Sequence, residues 1–238
     1  HGIKFNSFSK LSQKNMADSN FYEKFYENFF EKFESYNDLD SKWAREKLAC
    51  IQILEKSNKF NKTAKILSIG CGIGIIEKEL ITQQGFSNIE VTEVSKQPFK
   101  WLTKYLPLNK MHIGFFPKCI PAENTYDFIF LSGIEYVFDD KGLLKLLVDV
   151  NKSLNKSGEC ILLSASHIKS GMIYNIKRTL RRYKHSIIYY GKRQFWGYAR
   201  NSQELSKIIT KSGFSIIEDG RDDKNLPGVY WSMFIKNN

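Results

Sequence analysis

The chain has 238 residues, 42% of them hydrophobic, with 36 Lys and Arg against 25 Asp and Glu and a formal net charge of +11. That apolar fraction suits a packed globular core and excludes a disordered chain, and no run approaches the roughly 18 apolar residues that span a bilayer. The basic balance favours anionic partners, whether nucleic acid, an acidic membrane surface or a phosphorylated small molecule, without choosing among them.

The four cysteines, Cys50, Cys71, Cys119 and Cys160, are scattered and form no CxxC pair. They read as reduced thiols, with no metal site or disulfide framework expected. The start, HGIKFNSFSKLSQKN, lacks the apolar stretch of a secretory signal, and His1-Gly2 reads as a cloning remnant. The expectation is a cytoplasmic protein, and the abundance of Lys, Asn, Ile and Phe fits an AT-rich bacterial coding bias.

Residues 20–57 read as helical. FYEKFYENFFEKF places Phe21, Phe25, Phe29 and Phe33 at spacing four, with Tyr22, Tyr26 and Phe30 adjoining. That stripe is expected to be core packing against the sheet, or else a cap helix over a ligand with Tyr22 and Tyr26 in contact. Asp40 or Ser41 caps a second helix over 41–57, with Trp43, Leu48, Ile51 and Leu54 inward.

From residue 65 the pattern alternates. KILSI (65–69) is a strand that runs into GCGIG and a helix to about Gln84; IEVTEV (89–94) is the next strand and 97–105 a helix. Residues 110–114 form a weak third strand and YDFIFL (126–131) a strong fourth. Residues 141–154 form an amphipathic helix ended by NKSGE, and ECILLSA (159–165) is a fifth strand. This alternation predicts an α/β fold with a doubly wound, mostly parallel sheet.

The stretch 166–200, rich in Lys, Arg, Tyr and Gly, breaks the alternation and reads as an insert. A helix over 201–212 follows, with Ser202 as its cap and Gly213 as its end. Strands at 214–218 and 229–236 then form a hairpin-like antiparallel edge. The domain reading is N-terminal cap helices over 1–57 and a core over 58–238 carrying the insert.

Gly70-Cys71-Gly72-Ile73-Gly74 joins a strand to a helix. Such a turn must bend sharply and admit a ligand close to the backbone, which glycine permits, and the helix N-terminus offers unpaired N–H groups. A dinucleotide-binding GxGxxG would need Gly where this chain has Ile75. Glu93 ends the second strand, where a carboxylate can take both hydroxyls of a ribose.

ILSIGCGIGIIEKEL resembles motif I of the class I S-adenosylmethionine-dependent methyltransferases. VTEVSKQPFKWL resembles their second-strand motif, AENTYDFIFLSGIEYV the fourth-strand motif of the small-molecule branch, and GLLKLLVDVNKSLNKSGECILLS the helix, turn and fifth strand that follow. The resemblance covers residues 60–165 and implies a Rossmann-like fold that uses S-adenosylmethionine and releases S-adenosylhomocysteine. It assigns Gly70, Cys71, Gly72, Gly74, Glu93, Val94, Ser132 and Gly133 to the cofactor.

The departures are informative. Where the family often has an Asp after the third strand for the adenine amino group, this chain reads GFFPKC, so Phe115 or Phe116 is expected to border the adenine. Tyr136 stands where a His is common. Leu131-Ser132-Gly133 replaces the Asn/Asp-Pro-Pro-Tyr/Phe motif of enzymes that methylate exocyclic amines of bases, which weighs against that branch.

Tyr136 and His167 are the candidate catalytic groups, His167 as a general base for a hydroxyl, and Glu135 is a candidate substrate contact. Arg178, Arg181 and Arg182 fall on one helical face within the insert. They form either a solvated cationic face or an anion-binding lid.

The leading expectation is in-line O-methylation of a small anionic acceptor, such as a phosphorylated or nucleotide-linked sugar, by a sulfonium that needs alignment more than a strong base. The alternatives are N-methylation of a small amine and an RNA methyltransferase that binds RNA through its basic insert. A non-catalytic cofactor-binding scaffold is a further reading.

Overall fold

The computed structural model describes residues 19–164, 176–177, 179–180, 198–221 and 229–237. Seven strands form one sheet: β1 (Ile66–Ile69), β2 (Ile89–Glu93), β3 (Met111–Ile113), β4 (Tyr126–Ser132), β5 (Leu154–Ser164), β6 (Phe214–Arg221) and β7 (Tyr230–Lys236). Their order is β3-β2-β1-β4-β5-β7-β6. All pairs from β3 to β5 are parallel, and β7 runs antiparallel to both β5 and β6. The expected hairpin is therefore present, with β7 inside it and β6 as the outer strand.

Among the described residues the helices include α1 (Ser19–Phe30), α2 (Ser41–Leu54), α3 (Ile75–Thr82), the single turn α4 (Phe99–Leu102), α5 (Asp140–Ser153) and α6 (Ser202–Lys211). The central strands are covered on both faces, and β1 and β2 are buried at every position, β2 with Glu90, Thr92 and Glu93 among its buried residues. Alternate residues of β1 and β4 divide between two cores. Ile66, Phe128 and Phe130 pack with Ile51 and Leu54 of α2 and Leu80 of α3. Leu67, Ile69, Ile129 and Leu131 pack with Leu143 and Leu147 of α5 and Leu205 and Ile209 of α6. This is the doubly wound, Rossmann-like arrangement the alternation predicts. The side chain of Trp43 lies outside the described residues.

Four local expectations change. First, α1 does not lie on the sheet. Tyr22, Tyr26, Phe29, Phe30 and Phe33 pack with Ile73, Ile75 and Trp101 over the glycine turn, while Phe25 is 39% exposed. A helix turns every 3.6 residues, so a strict spacing of four drifts off one face, and the buried stripe passes through Tyr22 and Tyr26 instead. Second, the 97–105 helix contracts to α4 followed by turns.

Third, the cap of α6 is Asn201 rather than Ser202. Its side chain accepts from Glu204 N at 2.9 Å, and Glu204 Oε2 accepts from Asn201 N at 3.0 Å, a reciprocal capping box. Fourth, NKSGE is not a free turn. Leu154 already pairs with Tyr126, and the register shifts before Phe128 meets Glu159, a bulge that absorbs the extra residues.

Among the described residues no helix is long and apolar enough to cross a membrane, and no three His, Cys, Asp or Glu side chains are grouped to hold a metal.

Candidate active site

Strand order reverses between β1 and β4, and ligands of open α/β sheets bind in the crevice at the carboxyl ends of such strands. Ile69 is level with Leu131 across that pair, so Gly70 and Ser132 leave the sheet side by side. A cavity of about 810 Å³ opens there.

The glycine turn shapes its floor. Gly74 is the N-cap of α3 at φ 74, with no side-chain cap. A Cβ on it would stand 2.8 Å from Leu102 Cδ1, so both backbone and packing require glycine here. Gly72, at φ 57, donates its N–H to Glu93 Oε2 at 2.9 Å. The position a Cβ on Gly72 would take lies 3.5 Å from the Tyr26 hydroxyl, which leaves a thin slot between α1 and the turn.

Glu93 is buried at the end of β2, and its Oε1 accepts from Val94 N at 2.8 Å. Burial pushes its carboxyl above the usual range, against the backbone N–H groups of Val94, Gly72 and Ser95, which favour the charged form. A carboxylate offers about four acceptor positions, so beside these three N–H groups it keeps room for one further donor.

Of the residues singled out in the sequence, Gly70, Cys71, Gly72, Glu93, Val94, Phe115, Phe116, Ser132, Gly133, Tyr22, Tyr26 and Tyr136 all line this cavity. Gly74 stands one step behind it as the cap of α3. Burial raises the Tyr136 phenol, and Glu135 adds to that, so Tyr136 keeps its proton at neutral pH.

Glu135 does not face the cavity. It is 1% exposed, and its Oε1 accepts from Ser164 Oγ at 2.7 Å. It begins the 3-10 turn Glu135–Val137, in which successive side chains diverge by about 120°. The turn shows Tyr136 and Val137 to the cavity and sends Glu135 back towards the end of β5. His167, Arg178, Arg181 and Arg182 lie outside the described residues, as does most of the 166–200 insert.

Sequence reasoning missed several lining residues: Lys47 of α2, Ser68 of β1, Glu77 of α3, Tyr198, and Lys141 and Lys145 of α5. A signal for two of them was present. Lys47 stands four residues before Ile51 and seven before Leu54, and Glu77 three before Leu80. Each is a charge on the apolar face of its helix, where an uncompensated charge is costly.

The turn after β4 is held from beneath by Arg200, 1% exposed. Its guanidinium donates to the carbonyls of Glu135 (3.1 Å), Phe138 (2.7 Å) and Tyr198 (3.0 Å) and to Asp140 Oδ1 (2.9 Å).

The fold has solved relatives. A methyltransferase from Clostridium acetobutylicum ATCC 824, described as S-adenosylmethionine-dependent, superposes with a TM-score of 0.57 at 14% identity, over 91% of this chain and 99% of its own. The CcbJ methyltransferase from Streptomyces caelestis gives 0.59 at 13% identity, over 85% and 95%. The mitomycin 7-O-methyltransferase MmcR gives 0.56 at 14% identity over 82% of this chain, which spans only 54% of that enzyme. None of the curated proteins matches the sequence. The model of one family, described as a methyltransferase domain, matches residues 41–219. That span is well over half of the chain, and the protein belongs to this methyltransferase-domain family.

Proposed function

We propose that the protein transfers a methyl group from S-adenosylmethionine to an oxygen of a small anionic acceptor, of the phosphorylated or nucleotide-linked sugar type. The observation that carries this reading is the Glu93 carboxylate, held by Gly72 N and Val94 N at the mouth of the β1/β4 crevice.

The residues present fit a nucleoside. Gly72 leaves a slot that a side chain would narrow, Glu93 keeps an acceptor position for a ribose hydroxyl, and Val94, Phe115 and Phe116 offer apolar walls for a base. When bound, the cofactor supplies a methyl group already activated by its sulfonium. The chain's own part is to align the two reactants and exclude water.

A cavity of about 810 Å³ falls in the range of small-molecule sites, roughly 300–1,000 Å³. Its outer wall is aromatic, with Phe25, Phe29, Phe138 and Tyr198 beside Tyr136, and Lys141 reaches it from α5, where Lys145 is paired with Asp149 at 2.6 Å. Rings suit stacking on a sugar or base, and a lysine suits an anion. Protonated Tyr136 serves as a hydrogen-bond donor to the acceptor. Residues 1–57 act as the cap in this reading and 58–238 as the core.

Calorimetric titration with S-adenosylhomocysteine, beside a Gly72→Val control, tests the cofactor. Binding near micromolar that the control loses is expected. An acceptor screen of phosphorylated sugars and sugar nucleotides follows, and charge reversal of Arg181 and Arg182 should raise the KM of the true acceptor. Turnover that is unchanged by that reversal would remove the anionic acceptor from the proposal.

A further inference from the structure

Three large apolar side chains stand open to solvent within eight positions of sequence: Leu108 (73% exposed), Ile113 (55%) and Phe115 (43%). They follow β3, which among the described residues is the outermost strand at one end of the sheet. Leu108 lies in the turn that enters the strand, Ile113 ends it and Phe115 comes just after. Single exposed apolar residues are ordinary on a protein surface, but a group of them on one border marks a contact.

The same border is basic throughout. Residues 94–122 hold five Lys and no Asp or Glu. Phe99, Leu102 and Leu106 pack with Met111 of β3, so the α4 segment shares that border, and its Lys100 and Lys104 are exposed. The chain after β3 folds back on itself. A Cβ on Gly114 would lie 3.2 Å from Cys119 Cβ, which brings exposed Lys118 beside the end of the strand. Two neighbouring acids are already engaged. Glu90 is buried against His112, Tyr126 and Lys110, and Glu23 of α1 accepts from Lys96 N at 2.9 Å.

Lysines around apolar side chains suit a strand of another protein, a nucleic acid or an anionic lipid surface. At three residues β3 is a poor template for strand addition, since short edge strands are one way that sheets prevent it. Single-stranded nucleic acid stacks its bases on rings, and Leu108 and Ile113 are aliphatic. An anionic bilayer surface uses both features at once: apolar side chains enter the headgroup boundary, and charges of one sign hold the lipids.

We propose that the β3 border is a membrane-contact surface, with Leu108, Ile113 and Phe115 entering the interface and Lys100, Lys104 and Lys118 engaging anionic headgroups. Phe115 also lines the cavity, so contact sets the mouth of the cavity beside the lipid surface. This holds whatever acceptor is methylated.

The test is co-sedimentation of the full chain with vesicles of equal parts phosphatidylglycerol and phosphatidylcholine, beside vesicles of phosphatidylcholine alone. The wild type should bind the first and not the second, with binding that fades as salt rises from about 0.1 M to about 0.5 M. Lys100→Glu with Lys104→Glu should weaken binding by about 10- to 100-fold, since each lysine near such a surface contributes about a factor of five. Leu108→Ser with Ile113→Thr keeps the charge and should weaken binding by about 10-fold or more. Lys207→Glu with Lys211→Glu makes the same charge change on α6, which packs with β6 at the opposite border, and should weaken it by under about 3-fold. All six positions are exposed, and unchanged thermal melts should show that each variant is folded. In Leu108→Trp the emission of the added indole should shift to the blue on the anionic vesicles.

Equal losses in the β3 and α6 charge variants would mean diffuse attraction of a basic chain, and overturn the proposal. Unaltered binding by Leu108→Ser with Ile113→Thr overturns it, as does a wild type that ignores the anionic vesicles. Salt-sensitive binding to oligouridylate in place of vesicles would make the border a nucleic-acid surface and overturns it too.

Discussion

The hydroxyl of Tyr36 donates to the carbonyl of Ile73 at 2.6 Å, across a separation of 37 residues. It ties the turn between α1 and α2 to the glycine turn itself. Tyr36 also packs its ring on Trp101 at 4.7 Å between centroids, and burial keeps its phenol protonated well beyond the ordinary range.

Tyr36→Phe keeps that packing and removes only the hydrogen bond. It should cost about 1 kcal/mol, seen as a shift of the denaturant midpoint with no change in slope. Amide exchange in α1 should accelerate more than exchange in β1 or β4, since α1 rests on the cluster that Tyr36 closes. Uniform acceleration over the sheet would show that the bond is not local to the cap.

Arg200 gives a contrast between the two ends of one ion pair. Arg200→Met leaves the carbonyls of Glu135, Phe138 and Tyr198 without their donor, and should cost about 3 kcal/mol or more. Asp140 is 69% exposed on its side, so Asp140→Asn should cost under about 1 kcal/mol. Thermal melts of the two variants check this, and equal losses would mean that the ion pair, not carbonyl satisfaction, holds the turn.

Glu77 makes stability depend on pH. Its carboxyl is raised from 4.5 in the free residue to about 7 in the fold, so the fold favours the protonated form. That contribution is whole below pH 4.5 and is lost as pH rises through 7. Without nucleoside, the wild type should lose on the order of 2–3 kcal/mol between pH 5 and 8. Glu77→Gln should flatten most of that slope, with the remainder assigned to Glu93, which is shifted in the same direction. Denaturant unfolding at both pH values measures it; an unchanged slope in the variant would place the titration elsewhere.

Gly74→Ala meets two penalties at once: a left-handed backbone at φ 74 and a Cβ 2.8 Å from Leu102 Cδ1. The first costs about 1–2 kcal/mol and the second about 1–3. Gly72→Ala carries only the first, because its Cβ has 3.5 Å of room beneath Tyr26. Gly74→Ala should therefore be the less stable variant in thermal unfolding.

What the sequence by itself determined are the features that depend on neighbours a few residues apart. The alternation of apolar runs and helical periods marks β1, β2, β4, α3 and α5, and the spacing of Gly70, Gly72 and Gly74 marks a turn that only glycine can follow. Glu93 was legible because it ends a strand, and a strand's end is a local property. Ser132, Gly133 and Tyr136 were found in the same way, by their place after β4.

The tertiary structure decided whatever depends on partners remote in the chain. Strand order cannot be read from β7 alone, since it is set by which edge of β5 remains free to pair. Lys47 and Glu77 are 30 residues apart and belong to different helices; only the packing of α2 and α3 on the same face of the sheet points both into one cavity. Glu135 and Tyr136 are adjacent in sequence and part ways because a tight turn aims one at Ser164 and the other at the cavity. Local backbone preference acts within a few residues, while the partner of a buried charge is chosen by how whole elements fit together.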